Sequence, residues 1–126
     1  MRAAAVSLWA PVLVYMAVLF FVSSLEQPAI PAGSDKPWHL IGYTGFGLVI
    51  ARAFAGGFGR PVVLRTALLA IAFGVAYAVT DEIHQIFVPG RSAEAADLLA
   101  DSAGVILGTI GCWACGIIGP FSRDEL

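Results

Sequence analysis

The chain has 126 residues, of which 59% are hydrophobic and only 13% are charged, and its mean hydropathy is +0.84. A soluble domain of this length needs a charged surface on all sides, so the composition predicts an integral membrane protein surrounded by lipid. The formal net charge is −2, so nothing indicates a nucleic-acid partner, which would call for a basic face.

The first apolar segment covers residues 3–25 and contains no charged side chain. A hydrocarbon core of about 30 Å is crossed by about 20 helical residues, so this segment predicts a membrane-spanning helix. The alternative is a cleaved signal peptide, whose apolar region of about 7–15 residues would precede a small-residue cleavage site. The segment is longer than that and ends in Ser23-Ser24-Leu25-Glu26, which favours a retained helix.

Three further helices are predicted at about residues 37–54, 62–85 and 93–119. Pro37 fits the first turn of the second helix, where a missing N–H costs nothing. Ser92 is predicted to cap the fourth helix, with Glu94 in its first turn. The predicted fold class is all-α: a single domain over residues 1–126, built as a bundle of four transmembrane helices with antiparallel neighbours.

Charged residues divide between the two ends of such a bundle. One end collects most of the arginines: Arg2, Arg52, Arg60, Arg65 and Arg123, opposed only by Asp124 and Glu125. The other end collects most of the acids: Glu26, Asp35, Asp81, Glu82, Glu94, Asp97 and Asp101, with Lys36 and Arg91. Because positive charge marks the cytoplasmic side, we expect both termini to be cytoplasmic and the loop over residues 81–91 to be extracytoplasmic.

The fourth helix carries a stripe of small residues that includes Gly104, Gly108 and Gly111. Small residues allow helices to approach closely, so the stripe predicts packing within the bundle or, alternatively, a homodimer. Cys112 and Cys115 have the C-x-x-C spacing, but a second ligand pair for zinc and the context of a redox motif are both missing. They are interpreted as buried small residues, and their redox state is left open.

Three polar segments are expected to meet at the acidic end. Spacings of three and four residues place Asp81 with His84 and Gln85 on one helix face, and Asp35 with His39 on another. An ionisable group in hydrocarbon costs about 2.5–3.5 kcal/mol, so these groups should point inward and pair. The predicted ligand-binding residues are Asp35, Lys36, His39, Asp81, Glu82, His84, Gln85, Arg91, Asp97 and Asp101. The alternative is that these residues have only a structural role and hold the helix ends together through ion pairs and hydrogen bonds.

The motifs resemble those of the VanZ-like family of small bacterial integral membrane proteins. The resemblance rests on Asp35-Lys36-x-x-His39, on the segment Asp81-Glu82-x-His84-Gln85-x-Phe87-x-Pro89-Gly90-Arg91-Ser92, and on Asp97 followed by Ala100-Asp101-x-x-Gly104. It covers roughly residues 35–108. The family pattern often has Asn at the position of Asp101, so this chain adds a negative charge or a proton there. The resemblance implies a multi-pass protein of the bacterial cytoplasmic (inner) membrane and cell envelope.

Three functions remain open at this point. The first is a binding protein whose outward polar site engages an envelope lipid, a cell-wall precursor, a glycopeptide or another membrane protein. The resemblance adds a link, through the family's namesake, to low-level antibiotic resistance against the glycopeptide teicoplanin. The second is a hydrolase or transferase acting on lipid headgroups, for which the catalytic candidates are His84, Asp81, Glu82, His39 and Asp35. A divalent metal would suit His39, His84 and Glu82, and the sequence leaves the cofactor open. The third, a proton-coupled transporter, is disfavoured by the apolar inner half of the helices.

Overall fold

The computed structural model describes residues 2–25, 36–57 and 59–118, and side chains over residues 5–25, 36–57 and 59–115. The described residues form four helices and no strand: α1 (Arg2–Ser23), α2 (Lys36–Ala55), α3 (Leu64–Gln85) and α4 (Ala95–Ile118). The predicted all-α class with four helices is therefore confirmed. Helices α1, α3 and α4 are long and apolar enough to cross a membrane.

Successive helices run in opposite directions. Helix α1 is antiparallel to α2, because Trp9 packs on Phe54 at the end of α2 while Tyr15 donates a hydrogen bond to the carbonyl of Gly42 near its start. Phe54 also contacts Phe73 in the first half of α3, so α2 and α3 are antiparallel as well. The predicted antiparallel neighbours are confirmed.

Helix α2 is the central element of the bundle and contacts each of the other three helices. Its side chains supply much of the core, including Tyr43, Phe46 and Ile50, none of which is more than 2% exposed. The outer faces of the other helices carry apolar side chains such as Leu13 and Leu64, both more than 60% exposed. This arrangement is typical of helices whose outer faces contact lipid.

Helices α2 and α4 run in the same direction and approach closely along the predicted small-residue stripe. A Cβ atom on Gly104 would lie 2.7 Å from the carbonyl oxygen of Leu40, and one on Gly108 would overlap the carbonyl oxygen of Thr44. These two glycines therefore pack inside the bundle. Gly111 has more room, since a Cβ there would meet its nearest neighbour at 3.9 Å. Association of two copies through the stripe stays a prediction.

Two local expectations need correction. Helix α4 begins at Ala95, so Ser92 does not cap it; Glu94 directly precedes the helix, and its N–H donates to the Glu82 carboxylate of α3 at 3.1 Å. Cys112 is buried, but Cys115 is exposed, and both thiols are free. The pair is therefore not a buried one.

Candidate functional site

Four carboxylates are buried where α2 and α4 begin and α3 ends. Asp81 and Glu82 come from the last turns of α3, and Asp97 and Asp101 come from the first turns of α4; none is more than 7% exposed. We refer to these four residues as the carboxylate cluster. A buried carboxylate is strongly destabilising unless it is paired, so the partners of each oxygen decide how the cluster is tolerated.

The two carboxylates of α4 are paired with the first turns of α2. Lys36 forms an ion pair with Asp97 and a second one, at 2.6 Å, with the more exposed Glu94. His39 Nδ1 lies 2.8 Å from Asp101 Oδ1, at hydrogen-bonding distance. Lys36 and His39 are separated by three residues and so project from one face of α2. The parallel packing of α2 and α4 places that face opposite Asp97 and Asp101.

The two carboxylates of α3 have neutral partners. The hydroxyl of Tyr43 donates to Asp81 Oδ2 at 2.9 Å, and the backbone N–H of Glu94 donates to Glu82 Oε2 at 3.1 Å. The sequence motifs do not identify Tyr43 as a site residue, although its spacing of four residues from His39 places it on the same face of α2. That spacing was the available signal.

Three oxygens of the carboxylate cluster are buried and have neither a hydrogen bond nor an ion pair among the described residues, whereas Asp97 Oδ1 is paired with Lys36. They are Asp81 Oδ1, Glu82 Oε1 and Asp101 Oδ2. An unsatisfied buried carboxylate oxygen retains the desolvation cost with no compensating bond. The cluster therefore has an unmet requirement for hydrogen-bond donors, protons or a cation.

One group within the site has a spacing suited to a metal ion. One ring nitrogen of His39, one carboxylate oxygen of Glu82 and one of Asp101 lie within 4.8 Å of one another. Each comes from a different helix. His39 and Glu82 were both metal candidates from the sequence, whereas Asp101 was predicted only as a ligand-binding residue.

The structure places other predicted site residues away from this group. His84 Nε2 lies 2.9 Å from Ser24 Oγ, and the ring stacks on Phe20, so this histidine faces α1. Gln85 also turns toward α1, where its amide donates to Ser23 Oγ at 3.3 Å. Asp35 lies outside the described residues.

A cavity of about 370 Å³ adjoins the carboxylate cluster. Its apolar wall includes Leu19 and Val22 of α1, Leu25 just after that helix, and Trp38 of α2. Its polar wall consists of Ser23, His39, Tyr43, Asp81, Gln85 and Arg91. Sequence reasoning located most of the polar wall but not the contribution of α1, because the ends of α1 carry no distinctive motif.

Comparison with known proteins gives one match. A family model described as VanZ/LLP1 matches residues 8–118, which is most of the chain. No curated protein and no solved structure matches the chain significantly.

Proposed function

The chain belongs to the VanZ/LLP1 family, and we propose that it is a bacterial envelope protein that binds an envelope lipid or a lipid-linked cell-wall component. The observation that carries the proposal is the cavity beside the carboxylate cluster. Its volume of about 370 Å³ lies within the range of roughly 300–1,000 Å³ that is usual for small-molecule sites. One wall is apolar and the other polar, which fits a molecule with an acyl or prenyl chain and a polar head.

The polar wall is suited to hydroxyl and amine groups. Asp81 lines the cavity, and its Oδ1 atom has no partner among the described residues. A hydroxyl or ammonium donor on the ligand would satisfy this oxygen. Tyr43 holds the other oxygen and so fixes the orientation of the carboxylate. The proposed role of Asp81 is therefore to bind the polar head of the ligand.

The proposed topology has four spans, both termini in the cytoplasm and the carboxylate cluster on the extracytoplasmic side of the inner membrane. Helix α2 has 20 residues, which is about 30 Å of helix, and it is enclosed by the other three. Arg52, Arg60 and Arg65 lie at the end of the bundle opposite the cluster, which supports a cytoplasmic location of that end.

Cysteine labelling of intact cells tests this topology. In a background with both native cysteines replaced by Ser, Pro89→Cys should react with a membrane-impermeant maleimide from outside. Gly59→Cys, at an exposed position with open space around it, should react only after permeabilisation. The reverse pattern would exclude the proposed orientation.

Lipid binding is tested on the purified full chain in nanodiscs. A polyprenyl phosphate and phosphatidylglycerol serve as probes, and bound lipid is measured by native mass spectrometry. Trp38→Ala should weaken binding at least tenfold, because Trp38 forms part of the apolar wall. Trp113→Ala is the matched control, since Trp113 is also an exposed tryptophan but lies outside the cavity. Equal binding by both variants would contradict the proposal.

A contribution to glycopeptide resistance is proposed from the family association. Deleting the gene should increase susceptibility to teicoplanin, and the wild-type chain should restore resistance. Complementation with Asp81→Asn should fail if the cavity is the functional site. Full complementation by this variant, at equal protein abundance, would separate resistance from the cavity.

A further inference from the structure

We propose that His39, Glu82 and Asp101 bind one divalent transition-metal ion, which joins α2, α3 and α4 at the acidic end of the bundle. The proposal concerns a site beside the lipid cavity and does not depend on lipid binding. It rests on the spacing of the three ligand groups and, independently, on the unsatisfied oxygens of two of them.

The spacing is close to that of a metal site. Zinc and similar ions bind nitrogen and oxygen at about 2.0–2.2 Å, so ligand atoms around one ion lie roughly 3–4.3 Å apart. The three ligand atoms here already lie within 4.8 Å of one another. Small side-chain rotations, moving each atom by less than about 1 Å, would complete the site.

The unsatisfied oxygens point to a cation. Glu82 Oε1 and Asp101 Oδ2 are buried without a hydrogen-bond partner among the described residues, in side chains that are 7% and 0% exposed. The remaining oxygens of the same carboxylates are already used, by the Glu94 N–H and by His39. A single divalent ion would compensate both carboxylates at once, whereas protons would have to neutralise each separately.

The ligand types select the class of ion. Calcium and magnesium prefer oxygen ligands throughout, whereas an imidazole with two carboxylates suits Zn²⁺, Mn²⁺ or Fe²⁺. His39 also has an outer partner suited to a metal ligand. If Nδ1 binds the ion, the ion replaces the hydrogen bond between Nδ1 and Asp101 Oδ1. The other ring nitrogen, Nε2, lies 3.9 Å from Asp97 Oδ1, a carboxylate that can orient the ring.

The proposal is tested with tag-free, full-length protein in detergent after metal removal. Zn²⁺ binding is measured by calorimetry, Mn²⁺ binding by electron paramagnetic resonance, and Co²⁺ binding by its visible absorption. We expect one ion per chain. Glu82→Gln, Asp101→Asn and His39→Ala should each raise the Kd for Co²⁺ at least tenfold.

Matched controls separate this site from other metal ligands. His84→Ala removes the other histidine, which faces α1, and should keep the wild-type Kd. A variant with Cys112→Ser and Cys115→Ser should also keep it. Loss of binding in either control, with binding retained in Asp101→Asn, would place the ion elsewhere and overturn the proposal.

Metal titration of the wild-type protein tests the proposal even where a variant fails to fold. Glu82→Gln and Asp101→Asn preserve side-chain shape, and circular dichroism with size-exclusion chromatography checks their folding. If folded wild-type protein shows no saturable binding of Zn²⁺, Mn²⁺ or Co²⁺, the proposal is wrong.

Discussion

The contact between α2 and α4 gives a sharp test of the fold, because two glycines on α4 differ only in the space around them. Gly108→Ala would overlap the Thr44 carbonyl oxygen and lie 2.8 Å from the Leu48 nitrogen. Ordinary contacts of a Cβ atom are 3.4–4 Å, and these neighbours are backbone atoms that cannot rotate away. The two helices would have to separate by roughly 1 Å, and overpacking of this kind costs about 1–3 kcal/mol.

Gly111→Ala is the control for this effect, because its Cβ would meet only Leu48 Cδ2, at 3.9 Å. Both variants gain the helix propensity of alanine, about 0.5–1 kcal/mol, so the difference between them isolates the clash. We expect Gly108→Ala to have the lower free energy of unfolding by about 1–3 kcal/mol, measured by SDS titration in mixed micelles. If Gly108→Ala is as stable as Gly111→Ala, the close packing of α2 on α4 is wrong.

Two further predictions concern the partners of the carboxylate cluster, and both are measured by the same unfolding assay. Tyr43→Phe removes the hydroxyl that donates to Asp81, so we expect a loss of about 1.5–3 kcal/mol that becomes smaller in an Asp81→Leu background; an equal loss there would refute the assigned hydrogen bond. Lys36→Met leaves the buried carboxylate of Asp97 without this cation and should cost about 3 kcal/mol, the lower end for a broken buried pair because the Lys36 side chain is 27% exposed. Glu94→Gln alters the other partner of Lys36, which is 49% exposed, and should cost only about 0–1 kcal/mol; equal losses would contradict the assigned roles.

Much of the fold follows directly from the sequence. Long apolar segments with few charged residues predict helices of membrane length, and Pro or Gly in the intervening segments separates them. The convergence of the polar residues also follows, because successive antiparallel helices bring the start of α2, the end of α3 and the start of α4 to the same end. His39, Glu82 and Asp101 therefore lie together as their positions along the chain suggest.

Spacing alone does not predict which neighbouring helix each side chain contacts. Asp81 and His84 are separated by three residues and so share a broad face of α3, but the sequence does not specify which neighbouring helix that face meets. In the structure Asp81 reaches Tyr43 of α2, while His84 reaches Ser24 beyond the end of α1. An angular separation of about 60° on one helix is enough to direct two residues to different neighbours.

A tertiary contact that local rules do not contain lies at the start of α4. Ser92 is a suitable N-cap, so local propensity places the helix start directly after it. In the structure the helix begins at Ala95, and the N–H of Glu94, the residue before it, donates to the Glu82 carboxylate of α3. This interaction uses one oxygen of Glu82, so the segment before α4 contributes to the site.

The packing of the core next to the carboxylate cluster is relevant to whether an ion or a proton could pass through the bundle. Toward the arginine end, the layer below Tyr43 and Asp81 is filled by Phe46, whose ring contacts Phe73 and Tyr77. Ile50 lies one turn further along α2 and is completely buried. A transported ion or proton needs a continuous polar path, and this layer of aromatic and aliphatic side chains interrupts one along the centre of the described bundle. This packing is consistent with the proposed binding at the cavity beside the carboxylate cluster, which requires no polar path through the bundle.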